Sequence, residues 1–216
     1  MIITKTPFRI SFFGGGTDYP AWCNENKGSV LGTTIDKYCY ISCRRLPPFF
    51  SNKHRIVYSK IEAVQSVSEI EHPAVRAALE YMSVTDGMEI HHDGDLPART
   101  GLGSSSSFTV GLLHALYAMK GEMLSKKRLA LEAIHIERNI LKEHVGLQDQ
   151  ILVSIGGFNK IDFADENTFQ ETHITIHKEK LDELKSHLML FFTGISRFAS
   201  DIAKEKIKSI PKKKKE

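Results

Sequence analysis

The sequence predicts an α+β fold, on three observations. Short β-type runs crowd the first 60 residues. A glycine- and serine-rich stretch then opens directly into apolar residues at helical spacing, and helix-type and strand-type segments follow one another beyond it. The β-type runs at 10–13, 30–35, 38–43 and 55–58 are separated by Gly and Pro and give three or four strands. Between the first two, Asp18-Tyr-Pro-Ala-Trp-Cys-Asn-Glu-Asn26 sets a polar residue before Pro20, which starts a short helix. Another short helix follows Pro73 through Val75, Leu79 and Met82, and 87–93 reads as a strand leading into the loop LPARTGLGSSSS.

Phe108, Leu112, Ala115, Leu116 and Met119 repeat at helical spacing until Gly121, so a core-facing helix begins at the serines. Ser125 caps a second long helix whose apolar stripe runs Ala130, Ala133, Ile134, Ile140 and Leu141. Residues 148–155 form a shorter helix, 158–163 and 173–176 strands, 188–192 a buried strand, and 196–210 a helix. There is no internal repeat, and 212–215 is the only low-complexity segment.

Composition limits the function. With 216 residues, 41% of them hydrophobic and 25% charged, the chain folds around a core of its own. The formal +3 is a property of one end: residues 204–216 hold seven Lys against two Glu, so the rest is slightly acidic and offers no general nucleic-acid footprint. No apolar run approaches a bilayer span and the first residues carry no secretory pattern, which predicts a soluble cytoplasmic protein with no membrane partner. Cys23, Cys39 and Cys43 form no C-x-x-C pair and read as buried free thiols.

Three stretches carry chemistry. Gly101-Leu-Gly-Ser-Ser-Ser-Ser107 lies where a strand hands over to a helix, so its backbone N–H groups, hydroxyls and helix dipole suit an anion such as phosphate; the alternative is a flexible loop with a serine cap. No Lys follows the last glycine, which excludes the common P-loop. In Phe8-Arg-Ile-Ser-Phe-Phe-Gly-Gly-Gly-Thr-Asp-Tyr19, three glycines invite close backbone approach, and Thr17 and Asp18 suit sugar hydroxyls; a hairpin turn is the alternative. Glu137 sits on an apolar stripe among Ala133, Ile134, Ile140 and Leu141, which suggests a metal or a buried polar network. Asp149 follows twelve residues later, and the two acids either converge on one pocket or are unrelated.

In this order and at these separations the three stretches resemble the GHMP kinases, the family of galactokinase, homoserine kinase and mevalonate kinase. The likeness runs over nearly the whole chain: Pro7 to Tyr19 looks like the first family motif, Leu96 to Ser107 like its phosphate loop, and Glu137 and Asp149 like its magnesium and catalytic carboxylates. The resemblance implies a two-layer fold of sheet and helices of the ribosomal-protein type. It also implies ATP and Mg2+ as cofactors, a small sugar phosphate as partner, and no nucleic acid; oligomeric state stays open. Gly101, Leu102, Gly103, Ser104, Ser105 and Ser106 would hold the ATP phosphates, and Ser105 would share magnesium with Glu137. Asp149 would deprotonate or orient the acceptor hydroxyl with Arg9 beside it.

Gly15, Gly16, Thr17 and Asp18 would face the sugar, and Arg44 and Arg45 would grip its own phosphate, unless they are an ordinary solvated strand end. Gly-Gly-Gly-Thr-Asp18 and residues 35–45 look most like the branch that phosphorylates the anomeric hydroxyl of D-glycero-D-manno-heptose 7-phosphate, whereas galactokinases carry Glu-His at 15 and 16. The chain is shorter than family members and lacks their third, glycine-rich motif. This gives the expectation of a nucleotide-binding domain over 1–195, with 196–216 beginning a truncated second domain. A catalytically inactive remnant is the alternative to an active kinase. An RNA-binding domain, which the fold and the Lys tail would also suit, ranks last because it leaves the acids and the phosphate loop without a purpose.

Overall fold

The structure, a computed structural model, describes residues 1–98, 100–191 and Ile207. In chain order the elements are β1 (Ile2–Phe13), α1 (Pro20–Asn26), β2 (Gly28–Arg45), β3 (His54–Val57), β4 (Ile61–Val64), α2 (Pro73–Tyr81), β5 (Met88–Gly94), α3 (Ser104–Met119), α4 (Lys126–Ile134), α5 (Gln148–Ile155), β6 (Phe158–Phe163), β7 (Phe169–His173) and α6 (Lys178–Ser186). This is the expected α+β arrangement.

The strands form one sheet built around β2. Along one edge β2 pairs antiparallel with β1; along the other its C-terminal half pairs with β5 and its N-terminal half with β6. β3 lies parallel to β5, and the antiparallel strands β4 and β7 flank β3 and β6. The sequence predicts a break in β2 at Asp36-Lys37. The strand runs through because a bulge absorbs the polar pair: Pro7 faces Tyr38 and Arg9 faces Thr34, so residues 35–37 stand against Phe8 alone.

Helices cover one face. Alternate residues of β2, Cys39, Ile41 and Cys43, meet α2 and α3 in the larger part of the core, while Val30, Ile161 and Phe163 meet α4 and α5 in the smaller. All three cysteines are free and buried, as expected. α3 lies close against the sheet. Gly111 has no room for a side chain, since a Cβ there would come within 2.8 Å of Thr6 Oγ1, and Thr4 donates to the Gly111 carbonyl at 2.9 Å.

Three sequence expectations change. The strand expected at 173–176 forms instead at Phe169–His173, because buried Phe169 seats it opposite Phe163. Residues 188–191 of the expected buried strand 188–192 are exposed, Leu190 at 77% and Phe191 at 74%, and among the described residues no strand lies beside them. α6 is not among the helices the sequence predicts: it has no buried residue, and its only apolar residues are Leu181 and Leu184. The helix expected over 196–210 lies outside the described residues apart from Ile207. Among the described residues no helix is long and apolar enough to cross a membrane.

Candidate active site

The loop after β5 is folded onto β1. Gly101 and Gly103 both adopt φ of 77°, a left-handed conformation that glycine enters without cost, and Gly103 forms the N-cap of α3. Arg9 holds the loop in two places: its backbone N–H donates to the Leu102 carbonyl at 2.9 Å, and its Nη1 donates to the Gly101 carbonyl at 2.6 Å. The Arg9 stem fills the space beside Gly103, where a Cβ would stand 3.0 Å from its Cγ. Ser107 completes the seam by donating to the Pro7 carbonyl at 2.9 Å. The open side of the loop therefore presents the first turn of α3, with Ser105 exposed. Partly free N–H groups at that helix end suit an anion.

The same guanidinium reaches α5. Arg9 Nε and Nη2 donate to the two oxygens of Asp149 at 2.8 and 2.5 Å, a bidentate pair that fixes the carboxylate's orientation. One residue thus ties together the phosphate-type loop, β1 and the acid at the start of α5.

Glu137 lies on a turn of wider, π-helical winding at His135–Ile140 that continues α4. Such turns are frequent at functional sites. The carboxylate is 1% exposed, and Ser106 Oγ and Gln150 Nε2 donate to its Oε2 at 3.1 and 2.5 Å. Its Oε1 is buried without a partner. Burial pushes the group up to about 7. An orphaned, desolvated carboxylate oxygen close to serine hydroxyls fits a hard cation. Among the described residues no group of three or more His, Cys, Asp or Glu could hold a metal ion by itself.

Here the structure departs from the sequence reading. The sequence reading has Ser105 share a metal with Glu137; the direct hydrogen bond to Glu137 comes from Ser106, because helical winding turns Ser106 inward, while Ser105 stands on the exposed side. Asp18 and Thr17 are not offered to a ligand. Asp18 is 0% exposed; its Oδ1 accepts from Gly16 N at 3.0 Å and its Oδ2 from Leu147 N and Gln148 N at 2.9 and 3.1 Å, capping α5 from a distant part of the chain. Thr17 Oγ1 is held by the carbonyls of Gly14 and Ser29 at 2.8 and 3.0 Å. Gly15 and Gly16 do line the open side of that turn, Gly15 exposed and next to Gln148.

Arg44 and Arg45 are the clear misplacement. They lie at the end of β2 that pairs with the start of β5 and with Ile2, whereas the loop lies at Arg9, seven residues further along β1, or about 24 Å at strand rise. Arg44 is bound to Glu89, which also meets Arg55 and His91 at 3.3 and 3.1 Å, and Arg45 faces Asp86 at 3.4 Å. Nothing in the sequence gives a strand's length and register with the accuracy needed to exclude them. Gln148 and Ser11 were missed: Ser11 Oγ donates to Gln148 Oε1 at 2.7 Å beside the Arg9–Asp149 pair. Their only signal was position, Ser11 two residues past Arg9 and Gln148 immediately before Asp149.

Residues 64–157 match the family described as GHMP kinases N terminal domain. The chain is 28% identical over 214 residues to D-glycero-alpha-D-manno-heptose 7-phosphate kinase of Campylobacter jejuni, covering 95% of this chain and 63% of that protein. It is 25% identical to galactokinase of Pyrococcus furiosus, covering 91% of this chain and 54% of that protein. Among solved structures, a D-glycero-D-manno-heptose 1-phosphate kinase from Bacteriodes thetaiotaomicron superposes with a TM-score of 0.77 at 25% identity, over 86% of this chain and 64% of that one. The chain thus spans 54 to 63% of the length of these curated relatives.

Proposed function

From the premise that this chain carries a GHMP kinase N-terminal domain, we propose an ATP-dependent sugar kinase whose acceptor is the anomeric hydroxyl of D-glycero-D-manno-heptose 7-phosphate. The observation that carries the reading is the Arg9 clamp, which fixes an anion-binding loop and a carboxylate to one strand. Phosphoryl transfer asks for that combination: positioning and charge neutralisation, with little covalent chemistry for the protein to do.

In this reading the backbone N–H groups around Gly101 to Ser106 hold the ATP phosphates. Glu137, with the hydroxyls of Ser105 and Ser106, would hold Mg2+, which when bound would neutralise phosphate charge. Asp149 accepts a hydrogen bond from the acceptor hydroxyl and takes its proton, and Arg9 keeps that carboxylate facing the loop. The heptose phosphate assignment rests on the names of the Campylobacter jejuni and Bacteriodes thetaiotaomicron relatives, which share the sugar and differ in the position of the phosphate. The 7-phosphate is adopted from the relative that covers 95% of the chain.

A panel of heptose 7-phosphate, heptose 1-phosphate, galactose and mevalonate, assayed with ATP on the whole protein, tests the assignment. The 7-phosphate should give the highest kcat/KM, and preference for an unphosphorylated acceptor would discard it. Asp149→Asn should lower kcat by ~10²- to 10⁴-fold with KM for ATP nearly unchanged. An undiminished kcat removes Asp149 from the chemistry.

A further inference from the structure

Ser11 and Gln148 have no part in the scheme above, yet their geometry repeats that of Arg9 and Asp149. The β1–β2 register is regular from Arg9 to Ser11, with Arg9 facing Thr34, Ile10 facing Thr33 and Ser11 facing Gly32. Arg9 and Ser11 therefore project from the same face of β1, about 7 Å apart. Each meets one of two successive side chains at the start of α5: Arg9 takes Asp149 and Ser11 takes Gln148.

The Ser11 bond is made to Gln148 Oε1, so it orients the amide and leaves Nε2 near Gly15. A Cβ on Gly15 would stand 3.6 Å from that Nε2 and 3.9 Å from Ser11 Oγ. Gly15 is exposed, so its missing side chain leaves space open to solvent, and an amide donor faces it. Among the described residues no acceptor meets Gln148 Nε2. A half-buried, oriented N–H2 group beside a reacting carboxylate calls for a neutral oxygen acceptor on the ligand.

We propose that Gln148, positioned by Ser11, is a specificity-determining residue that donates from Nε2 to a second hydroxyl oxygen of a polyol substrate, next to the hydroxyl that Asp149 engages. This rests on the kinase reading above and deepens it: the acceptor is a vicinal diol, and an alcohol with a single hydroxyl lacks the second contact. Ser11 acts through Gln148 and does not touch the substrate. The glycine at 15 provides the space for the diol.

The test compares Gln148→Ala, Gln148→Glu, Ser11→Ala and Ser11→Thr with the parent in the whole protein, on heptose 7-phosphate and its 2-deoxy analogue. Gln148→Ala should raise KM for the sugar by about tenfold, the effect of one neutral hydrogen bond, with kcat and KM for ATP held within about twofold. Gln148→Glu, which keeps the volume, loses the donor and adds a charge beside Asp149, should raise KM for the sugar at least as much. Ser11→Ala should shift KM in the same direction, and Ser11→Thr should restore it. On the 2-deoxy sugar, parent and Gln148→Ala should be equal. An unchanged KM in Gln148→Ala, or an equal loss on both sugars, overturns the proposal. If the parent phosphorylates no sugar, the kinase reading fails instead. Calorimetric titration of the same proteins with heptose 7-phosphate alone then decides: weaker binding by Gln148→Ala sustains the contact, and equal or absent binding overturns it.

Discussion

Glu137 is a carboxylate with one oxygen bonded to Ser106 and Gln150 and the other to nothing, at a depth where ionisation is costly. Glu137→Gln keeps the shape of the site and removes the charge. It should raise the magnesium concentration needed for half-maximal turnover by about tenfold or more, without unfolding the chain. If a magnesium titration superposes on that of the parent, Glu137 is a structural acid. The residues that sequence made legible at this scale were those with few alternative uses: glycines at positive φ before a helix, and an acid on an apolar stripe. Arg9 was legible only as a neighbour of the chemistry. Its role as the clamp between two segments, 92 and 140 residues away in sequence, exists only in the folded chain.

At the level of elements, α5 is held at its start by a carboxylate distant in sequence, that of Asp18. Asp18→Ala would leave the Leu147 and Gln148 N–H groups without an acceptor in a buried setting, at a cost of about 3 kcal/mol. Urea denaturation should show that loss, and kcat should fall with it because Asp149 sits on the first turn of α5. A stability equal to the parent's would mean that the cap is dispensable.

α2 and α3 meet through a ring cluster in which His72 stacks on Phe108 at 4.7 Å and His92 meets Phe108 edge-on at 5.0 Å. Burial lowers both imidazoles below their ordinary 6.5. The unfolded chain therefore takes up protons first as pH falls through 6.5, and this part of the stability is present above 6.5 and lost below it. Glu137 has the opposite sign, since a raised carboxylate favours the folded state as pH falls, so the informative comparison is variant against parent. His92→Phe should gain stability relative to the parent between pH 7 and 5.5. A difference that does not vary with pH rules out titration of His92.

At the scale of the whole molecule, helices cover one face of the sheet, the loop and α5 gather at one end of β1, and the apolar run at 188–191 stands in solvent. An exposed apolar segment of this kind promotes association. The chain should therefore self-associate with rising concentration in sedimentation velocity, and Met189→Lys with Phe191→Lys should shift it toward the monomer. Concentration-independent sedimentation of the parent would show that the run is harmless. The sequence by itself determined the α+β class, the helix that begins at Ser104 and the cap at Ser125, and it singled out the glycine–serine loop and the two acids as candidates, because each depends on a local period or on the chemistry of a few adjacent residues. Tertiary structure alone decided that β2 runs unbroken for 18 residues, that Asp18 caps a helix, that Ser106 rather than Ser105 meets Glu137, and that Arg44 and Arg45 lie a strand's length from the loop. Those facts follow from register, bulges and helical phase. A shift of one residue in any of them moves a side chain to the opposite face, and no local pattern in the chain specifies them.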